Sequence, residues 1–260
     1  MSYETIELEI TGNLAVVTLN RQDRLNAISK ELINEFSNLV TYFESNDQIR
    51  VIIITGAGRA FCAGADIKER AENLNDQSLA RTSALISPTF RRLERLNQVS
   101  IAAINGVAAG GGLELAMACD LRLASDVSKM ALPELTLGIL PGAGGTQRLP
   151  RLIGPARAKE MMLFGKFIDS NTAHNWGLVN AVADSNQLLS EAREWARILL
   201  DLPPLSLSSI KNAVNVAMDV DLDSGIQYEQ RCSAMLALTE DRREGHSAFV
   251  EKRKPVFIGR

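Results

Sequence analysis

Two acids, Glu114 and Glu134, each stand beside a glycine-rich turn in the stretch from Ile101 to Leu149, IAAINGVAAGGGLELAMACDLRLASDVSKMALPELTLGILPGAGGTQRL. Glu114 follows Gly110, Gly111 and Gly112, and no other charged residue lies between Ile101 and Cys119. A carboxylate in such apolar surroundings is costly unless it is partnered or put to use. The same stretch also accommodates a plainer arrangement, a glutamate on the wet side of a half-buried helix. Two carboxylates together with main-chain N–H donors would suit chemistry on a carbonyl compound, in which charge collects on oxygen while protons move at neighbouring carbons.

The glycines do not form a nucleotide-binding fingerprint. Gly142, Gly144 and Gly145 put Gln147 where G-x-G-x-x-G requires its last glycine, and Gly106 to Gly111 has P-loop spacing but is followed by Gly112 and Leu113 in place of Lys and Ser or Thr. What remains is close backbone approach: glycines let main-chain N–H groups face a ligand, and a helix beginning near Gly111 adds the positive end of its dipole. Other chemistries have less support. His174 and His246 have no second metal ligand at helical spacing. Cys62 lies in the turn FCAGAD, but nothing near it in sequence supplies the base that a nucleophile needs.

Composition narrows the setting. The chain has 260 residues, 46% hydrophobic and 23% charged, with a formal net charge of -3, enough for a sizeable core and without the basic excess that nucleic acid would demand. Its three cysteines, Cys62, Cys119 and Cys232, form no CxxC pair, which argues for reduced thiols. The start MSYETIELEI lacks the basic-plus-apolar character of a leader, and glycines, Asn105 and Glu114 interrupt the longest apolar run, so a cytoplasmic protein without a transmembrane helix is expected. The tail AFVEKRKPVFIGR is locally basic, and its cations either meet an anionic ligand such as a phosphate or are simply solvated.

The elements that must position these residues read as an α/β chain. Thr5–Ile10 and Leu14–Leu19 form a hairpin around Gly12 and Asn13. Ser29 caps a helix whose apolar residues Leu32, Ile33, Phe36, Leu39, Val40 and Phe43 recur at helical spacing. Val51–Ile54 and Ile101–Ile104 are buried strands, each leading into a small-residue turn and a helix, a weak internal repeat with a spacing of fifty residues. Leu121–Ala124 and Lys129–Leu132 are further short strands, which gives a sheet-and-helix spiral with its turns stacked at one end. Between Ile67 and Leu96, breaks are expected around Asn73–Ser78 and at Ser87-Pro88. After Pro150 the pattern is helical apart from a strand at Leu178–Val182, and Leu202-Pro203-Pro204 leads into a helical region, giving a core over residues 1–200 and a helical part over 201–260.

These motifs, TLNRQDRLNAI, GAGRAFCAGADIKE, AAINGVAAGGGLELAMACD, LPELTLGILPGAGGTQRLPRLIG and AFVEKRKP, together resemble the crotonase superfamily and, within it, the enoyl-CoA hydratases. The resemblance spans essentially the whole chain. It implies a spiral core of ββα repeats with a helical C-terminal trimerisation region, and a homotrimer or a hexamer built as a dimer of trimers. It also implies a hydro-lyase acting in fatty-acid oxidation or related acyl-CoA catabolism. By matching positions it implies an oxyanion hole of the Ala65 and Gly111 N–H groups around a thioester oxygen. Glu114 would activate a water for attack at C3 of a trans-2-enoyl-CoA, Glu134 would exchange the proton at C2, and the Gly142 N–H would help position the water. Arg24, Leu25, Ala63, Ala65, Asp66, Ile67, Lys68 and Lys252 would contact the substrate's CoA; no other cofactor, no metal and no membrane partner is implied.

Similarity in GGGLELA, MDVDL and the tail extends to methylglutaconyl-CoA hydratases of leucine catabolism, whose animal member also binds AU-rich RNA. An RNA-binding or scaffold role is therefore the rival from another class. It is disfavoured by the first helix, SKELINEFSNLVTYFES, whose one lysine faces three glutamates and would repel a phosphate backbone.

Overall fold

In the computed structural model, which describes residues 3–72 and 77–260, the chain opens with its expected hairpin. β1 (Ile6–Thr11) and β2 (Leu14–Leu19) pair antiparallel from Ile6 opposite Leu19 to Thr11 opposite Leu14, and Gly12 supplies the positive φ of 58° that so tight a turn needs. α1 (Lys30–Glu44) starts where Ser29 Oγ accepts the Leu32 N–H at 3.1 Å. It buries all six apolar residues of its predicted stripe, each contributing roughly 1.5–3 kcal/mol relative to exposure.

Two sheets follow from a repeated strand pair. The long strands β3 (Val51–Gly56), β5 (Val99–Ile104) and β7 (Leu121–Ser125) run parallel in a six-stranded sheet of order β1-β2-β3-β5-β7-β10, with β10 spanning Ala181–Ala183. The short strands β4 (Ala60–Cys62), β6 (Val107–Ala109) and β8 (Lys129–Ala131) run parallel in a second sheet, closed by the antiparallel β9 (Ile168–Asp169). Each repeat sends one strand into each sheet and then turns, towards α2 (Ile67–Glu72), α4 (Gly111–Ala118) or a 3-10 turn at Glu134–Leu137. This is the spiral of ββα repeats expected from the resemblance. Because β4, β6 and β8 lie in parallel register, the turns that follow them, at Ala63–Asp66, Gly110–Gly111 and Leu132–Glu134, are set side by side.

The large sheet is covered on both faces. α8 (Leu188–Leu200) lays Leu188, Ala192 and Ala196 against Val16, Ile53 and Ile101, while α1, α4 and α3 (Gln77–Glu94) pack on the opposite side. α3 corrects the expected break at Ser87-Pro88, because the helix runs through Pro88. A proline inside a helix costs about 3 kcal/mol, here offset by packing: Phe90 and Leu93 are buried, and Phe90 meets Phe36 of α1 edge to face at 6.4 Å between ring centroids. The expected break at Asn73–Ser78 falls largely outside the described residues.

The expected strand Leu178–Val182 is also corrected. Leu178 and Val179 are buried, but their N–H groups close the end of α7 (Ser170–Trp176) on the Ala173 carbonyl, so pairing with β7 begins only at β10. α5 (Gly145–Ile153) carries Pro150 in its interior, so helix begins before the point at which the composition changes. α6 (Pro155–Phe164) follows directly. Beyond Pro203 come α9 (Pro204–Ala217), α10 (Leu222–Leu236) and α11 (Glu240–Glu251). α9 is tied to the sheet by a buried ion pair, Lys211 Nζ to Asp120 at 2.9 Å, and the same ammonium donates to the Gln98 carbonyl at 2.8 Å. Among the described residues no helix is long and apolar enough to cross a membrane.

Candidate active site

The three stacked turns bring the predicted residues together, beginning with two N–H donors. Ala65 forms an isolated parallel bridge with Ile28: the Ile28 N–H donates to the Gly64 carbonyl at 2.7 Å and the Asp66 N–H to the Ile28 carbonyl at 3.0 Å. In such a bridge the central residue turns its own N–H the other way. Gly111 is the first residue of α4, so its N–H has no acceptor within the helix. Among the described residues neither N–H donates to a protein acceptor. The two lie close: a methyl group on Gly111 would sit 3.9 Å from the Ala65 nitrogen.

The glycine triplet makes this approach possible. Gly110 caps α4 at φ 52° and ψ -127°, a conformation closed to other residues. Gly112 has no room for a side chain, since a Cβ there would fall 2.0 Å from the Cys62 carbonyl oxygen. Helix and turn are thereby pressed together.

Glu114, on the first turn of α4, is 2% exposed, which excludes the wet-face arrangement. Its Oε1 accepts the N–H groups of Ala143 and Gly145, both at 2.7 Å. Its Oε2 points back to the donors, 3.9 Å from where a Gly111 methyl would stand. Burial pushes its pKa up, and the two N–H bonds and the Arg148 cation oppose that rise. Glu134 opens the 3-10 turn after β8, and its Oε1 would lie 3.0 Å from a methyl on Gly110. Its Oε2 is buried without a hydrogen-bond partner among the described residues. Burial raises its pKa to about 7, its own N–H opposing and the Glu114 charge adding to the shift. The more deeply buried acid is thus the better stabilised anion. The pair sets a carboxyl held by two N–H groups beside one whose pKa burial lifts to about 7, next to the two N–H donors.

The other predicted residues divide into two groups. The Ala63 N–H donates to the Leu25 carbonyl at 3.0 Å and the Asp66 N–H to the Ile28 carbonyl, which leaves Ala65 between two residues that are tied to the loop at residues 25–28. Arg24 is half exposed beside Asp23, and Ile67 and Lys68 lie exposed at the start of α2. The Asp66 carboxylate is committed to the protein: it pairs with Arg21 at 3.0 Å and accepts the Glu69 N–H, capping α2, and its own N–H is bound to Ile28. Lys252 caps α11 in a left-handed conformation, and among the described residues no hydrogen bond or ion pair links it to this group. Gly142 is exposed, and its N–H is not one of the donors to either acid; Ala143 and Gly145 are.

Several contributors were invisible in the sequence. Ala143 and Gly145 signalled only a glycine-rich turn. Asn26 is fully buried at φ 56°, next to Leu25 at φ 51°. Its side chain accepts the Arg21 N–H and donates to the Ala57 and Ala60 carbonyls, which holds this left-handed pair against a cost of about 1–3 kcal/mol each. Cys62 is buried beneath the site with its thiol pushed up to about 12 by desolvation, unsuited to nucleophilic attack. Among the described residues no cluster of three or more potential ligands could hold a metal ion.

Comparison with known proteins gives the family of the chain. The family model for enoyl-CoA hydratase/isomerase matches residues 9–260. The chain is 40% identical to the crotonyl-CoA hydratase of Syntrophomonas wolfei over 100% of both chains. It is 39% identical to the short-chain-enoyl-CoA hydratase of Clostridium acetobutylicum, over 98% of this chain and 97% of that one. The crystal structure of enoyl-CoA hydratase from Bacillus anthracis superposes with a TM-score of 0.96 at 41% identity, covering 99% of this chain and 100% of that one. The chain therefore belongs to the enoyl-CoA hydratase/isomerase family.

Proposed function

We propose that the protein is a hydro-lyase that adds water reversibly across the 2,3 double bond of a trans-2-enoyl-CoA. The observation that carries this reading is the meeting of two unpaired N–H groups, from Ala65 and Gly111, with two unlike carboxyls, Glu114 and Glu134. The thioester oxygen sits between the N–H groups. Ionised Glu114 takes a proton from a water as its oxygen bonds to C3, and the π electrons move through C2 to the thioester oxygen as enolate charge. Protonated Glu134 then delivers its proton to C2. The product carries OH at C3 and H at C2, and the proton left on Glu114 returns to Glu134 through solvent. Each N–H donor is worth about 3–4 kcal/mol of barrier in such a site, and each acid about a hundredfold to ten-thousandfold in rate.

The relatives' names, crotonyl-CoA hydratase and short-chain-enoyl-CoA hydratase, favour a short acyl chain. CoA enters as part of the substrate, and the mechanism calls for no further cofactor. Loss of the enoyl-thioester absorbance on adding crotonyl-CoA tests the reaction, and a graded series of enoyl-CoA esters that includes 3-methylglutaconyl-CoA tests the chain. No turnover of any ester in the series, with RNA retained on the protein at low salt, would replace the enzyme by the RNA-binding reading.

The C-terminal helices fit assembly into the expected trimer or hexamer. Leu222, Leu238, Phe249 and Val250 are each more than three-quarters exposed, an apolar display suited to burial against further copies. A monomeric mass in light scattering at micromolar concentration would remove this part of the proposal.

A further inference from the structure

The turn that receives Glu114 is itself held from behind. Arg148, on α5, donates from Nη1 to the Ala143 carbonyl at 2.8 Å. That carbonyl belongs to the peptide between the two whose N–H groups bind Glu114 Oε1. The guanidinium lies directly against the turn, since a methyl on Gly144 would fall 2.0 Å from Nη1. Its far side is gripped by Glu94 at the end of α3, with Nε to Oε1 at 3.2 Å and Nη2 to Oε2 at 3.0 Å, a two-point fork that fixes the plane of the group. Arg91 Nη1 donates to the same Glu94 Oε2 at 2.6 Å. Both members of the fork are mostly buried, at 14% and 18% side-chain exposure.

We propose that Arg148 and Glu94 are positioning residues for the hydration reaction: together they hold the peptide between the two that bind Glu114, and so fix where its free oxygen meets the attacking water. The proposal rests on the hydratase reading given above. Among the described residues neither side chain hydrogen-bonds to Glu114 or Glu134; their action passes through the turn at Ala143–Gly145. The charges around this unit are few. Glu114 faces Arg148 from α5 and Glu134 from the 3-10 turn. The fork faces Arg91 from α3, and Asp219, beyond α9, lies 3.5 Å from Arg91 and 3.9 Å from Arg151.

A plain staple between α3 and α5 would lower stability when cut and leave the chemistry alone. The test is therefore the pH profile of crotonyl-CoA hydration for wild type, Arg148→Gln, Arg148→Lys and Glu94→Gln, each checked for folding by circular dichroism. For Arg148→Gln, kcat is expected to fall about a hundredfold, as for an ångström-scale misplacement of a reacting group, with KM little changed. The acidic limb moves to higher pH, because the cation favouring ionised Glu114 has gone. Arg148→Lys restores the limb but not kcat, since an ammonium cannot make the fork. Glu94→Gln, which frees the guanidinium, loses kcat with the limb in place. Folded Arg148→Gln with wild-type kcat and an unmoved limb would overturn the proposal. If Arg148→Gln does not fold, Arg148→Lys and Glu94→Gln decide it by the same loss or retention of kcat. Failure of the wild type to hydrate any enoyl-CoA is a separate outcome that sinks the hydratase reading. Carbon-13 NMR titration of the Glu114 carboxyl, assigned through Glu114→Gln, then reports the Arg148 contact without turnover: an unchanged titration in Arg148→Gln overturns it.

Discussion

The two acid-bearing turns are built on opposite plans. Around Glu114 each oxygen has a place: Oε1 is bound by two N–H groups, an arginine stands behind them, and only Oε2 faces the site. Around Glu134 one oxygen is buried without a partner among the described residues, and the chain beyond it, Leu135, Leu137 and Ile139, is exposed. Burial alone would raise the more enclosed Glu114 further. At Glu114 two hydrogen bonds and a nearby cation oppose that rise by repaying desolvation of the anion, whereas at Glu134 an oxygen without a partner among the described residues, next to another carboxylate, is relieved by taking up a proton. In the proposed reaction the first turn carries the base and the second the acid.

The largest effect should come from breaking the base. Glu114→Gln keeps a carbonyl oxygen that can accept both N–H groups, so the turn at Ala143–Gly145 survives while the proton acceptor is lost. Turnover of crotonyl-CoA should fall about ten-thousandfold, the upper end for a general base, with binding of a CoA ester retained in calorimetry. Glu134→Gln should cost about a hundredfold to a thousandfold. The comparison is sharpened by pH. In the wild type, kcat/KM for hydration should decline as pH rises through about 7, where Glu134 loses its proton, and that decline should vanish from the residual activity of Glu134→Gln. The limbs belong to a coupled pair, so an alkaline limb that persists in Glu134→Gln and disappears in Glu114→Gln would reverse the assignment.

An effect smaller than that of Glu114→Gln, and shared by both acids, should follow from removing a donor between them. Gly111 is the first residue of α4, a position where proline fits the helix and costs no intrahelical bond. The atom nearest to a Cβ there is the tip of the Ile28 side chain at 3.1 Å, which can move. Gly111→Pro therefore deletes one N–H without breaking a bond of the helix. A loss of about a hundredfold to a thousandfold in kcat is expected, with folding shown by circular dichroism; full activity would remove Gly111 from the oxyanion site.

How much of this was legible depended on range along the chain. β3 and β5 announced themselves as continuous β-branched or apolar runs, and α1 as a capped stripe, because periodicity is a local signal. β4, β6 and β8 have three residues each, too few for any period to register, yet their parallel register aligns the three turns of the site. Glu114 and Glu134 stood out because an isolated charge in an apolar segment is conspicuous. The contacts that make them unlike each other join Glu114 to residues 29 and 31 positions away, and Arg148 to Glu94 across 54. No local pattern encodes such pairs. Pro88 misled for the complementary reason, since a local penalty was overruled by the burial of Phe90 and Leu93.

The smallest effect concerns stability, and it separates the two turns without any substrate. Glu134 has a folded pKa of about 7, above the ordinary carboxylate value of 4.5, so the folded state binds its proton more tightly than the unfolded chain does. Linkage then makes its contribution fully present below the unfolded pKa and lost as pH rises through about 7. In the wild type, the part of the melting temperature due to this group should decline between about pH 4.5 and 7. Glu134→Gln carries no titrating proton and places an amide where the orphaned oxygen was. It should lack that decline and be the more stable protein at pH 8, by a margin reduced by the partial exposure of the site. Parallel thermal melts of the two proteins from pH 4 to 8 measure the difference directly. If their melting temperatures keep a constant separation over this range, Glu134 is not the strained acid, and the contrast between the two turns rests on Glu114 alone.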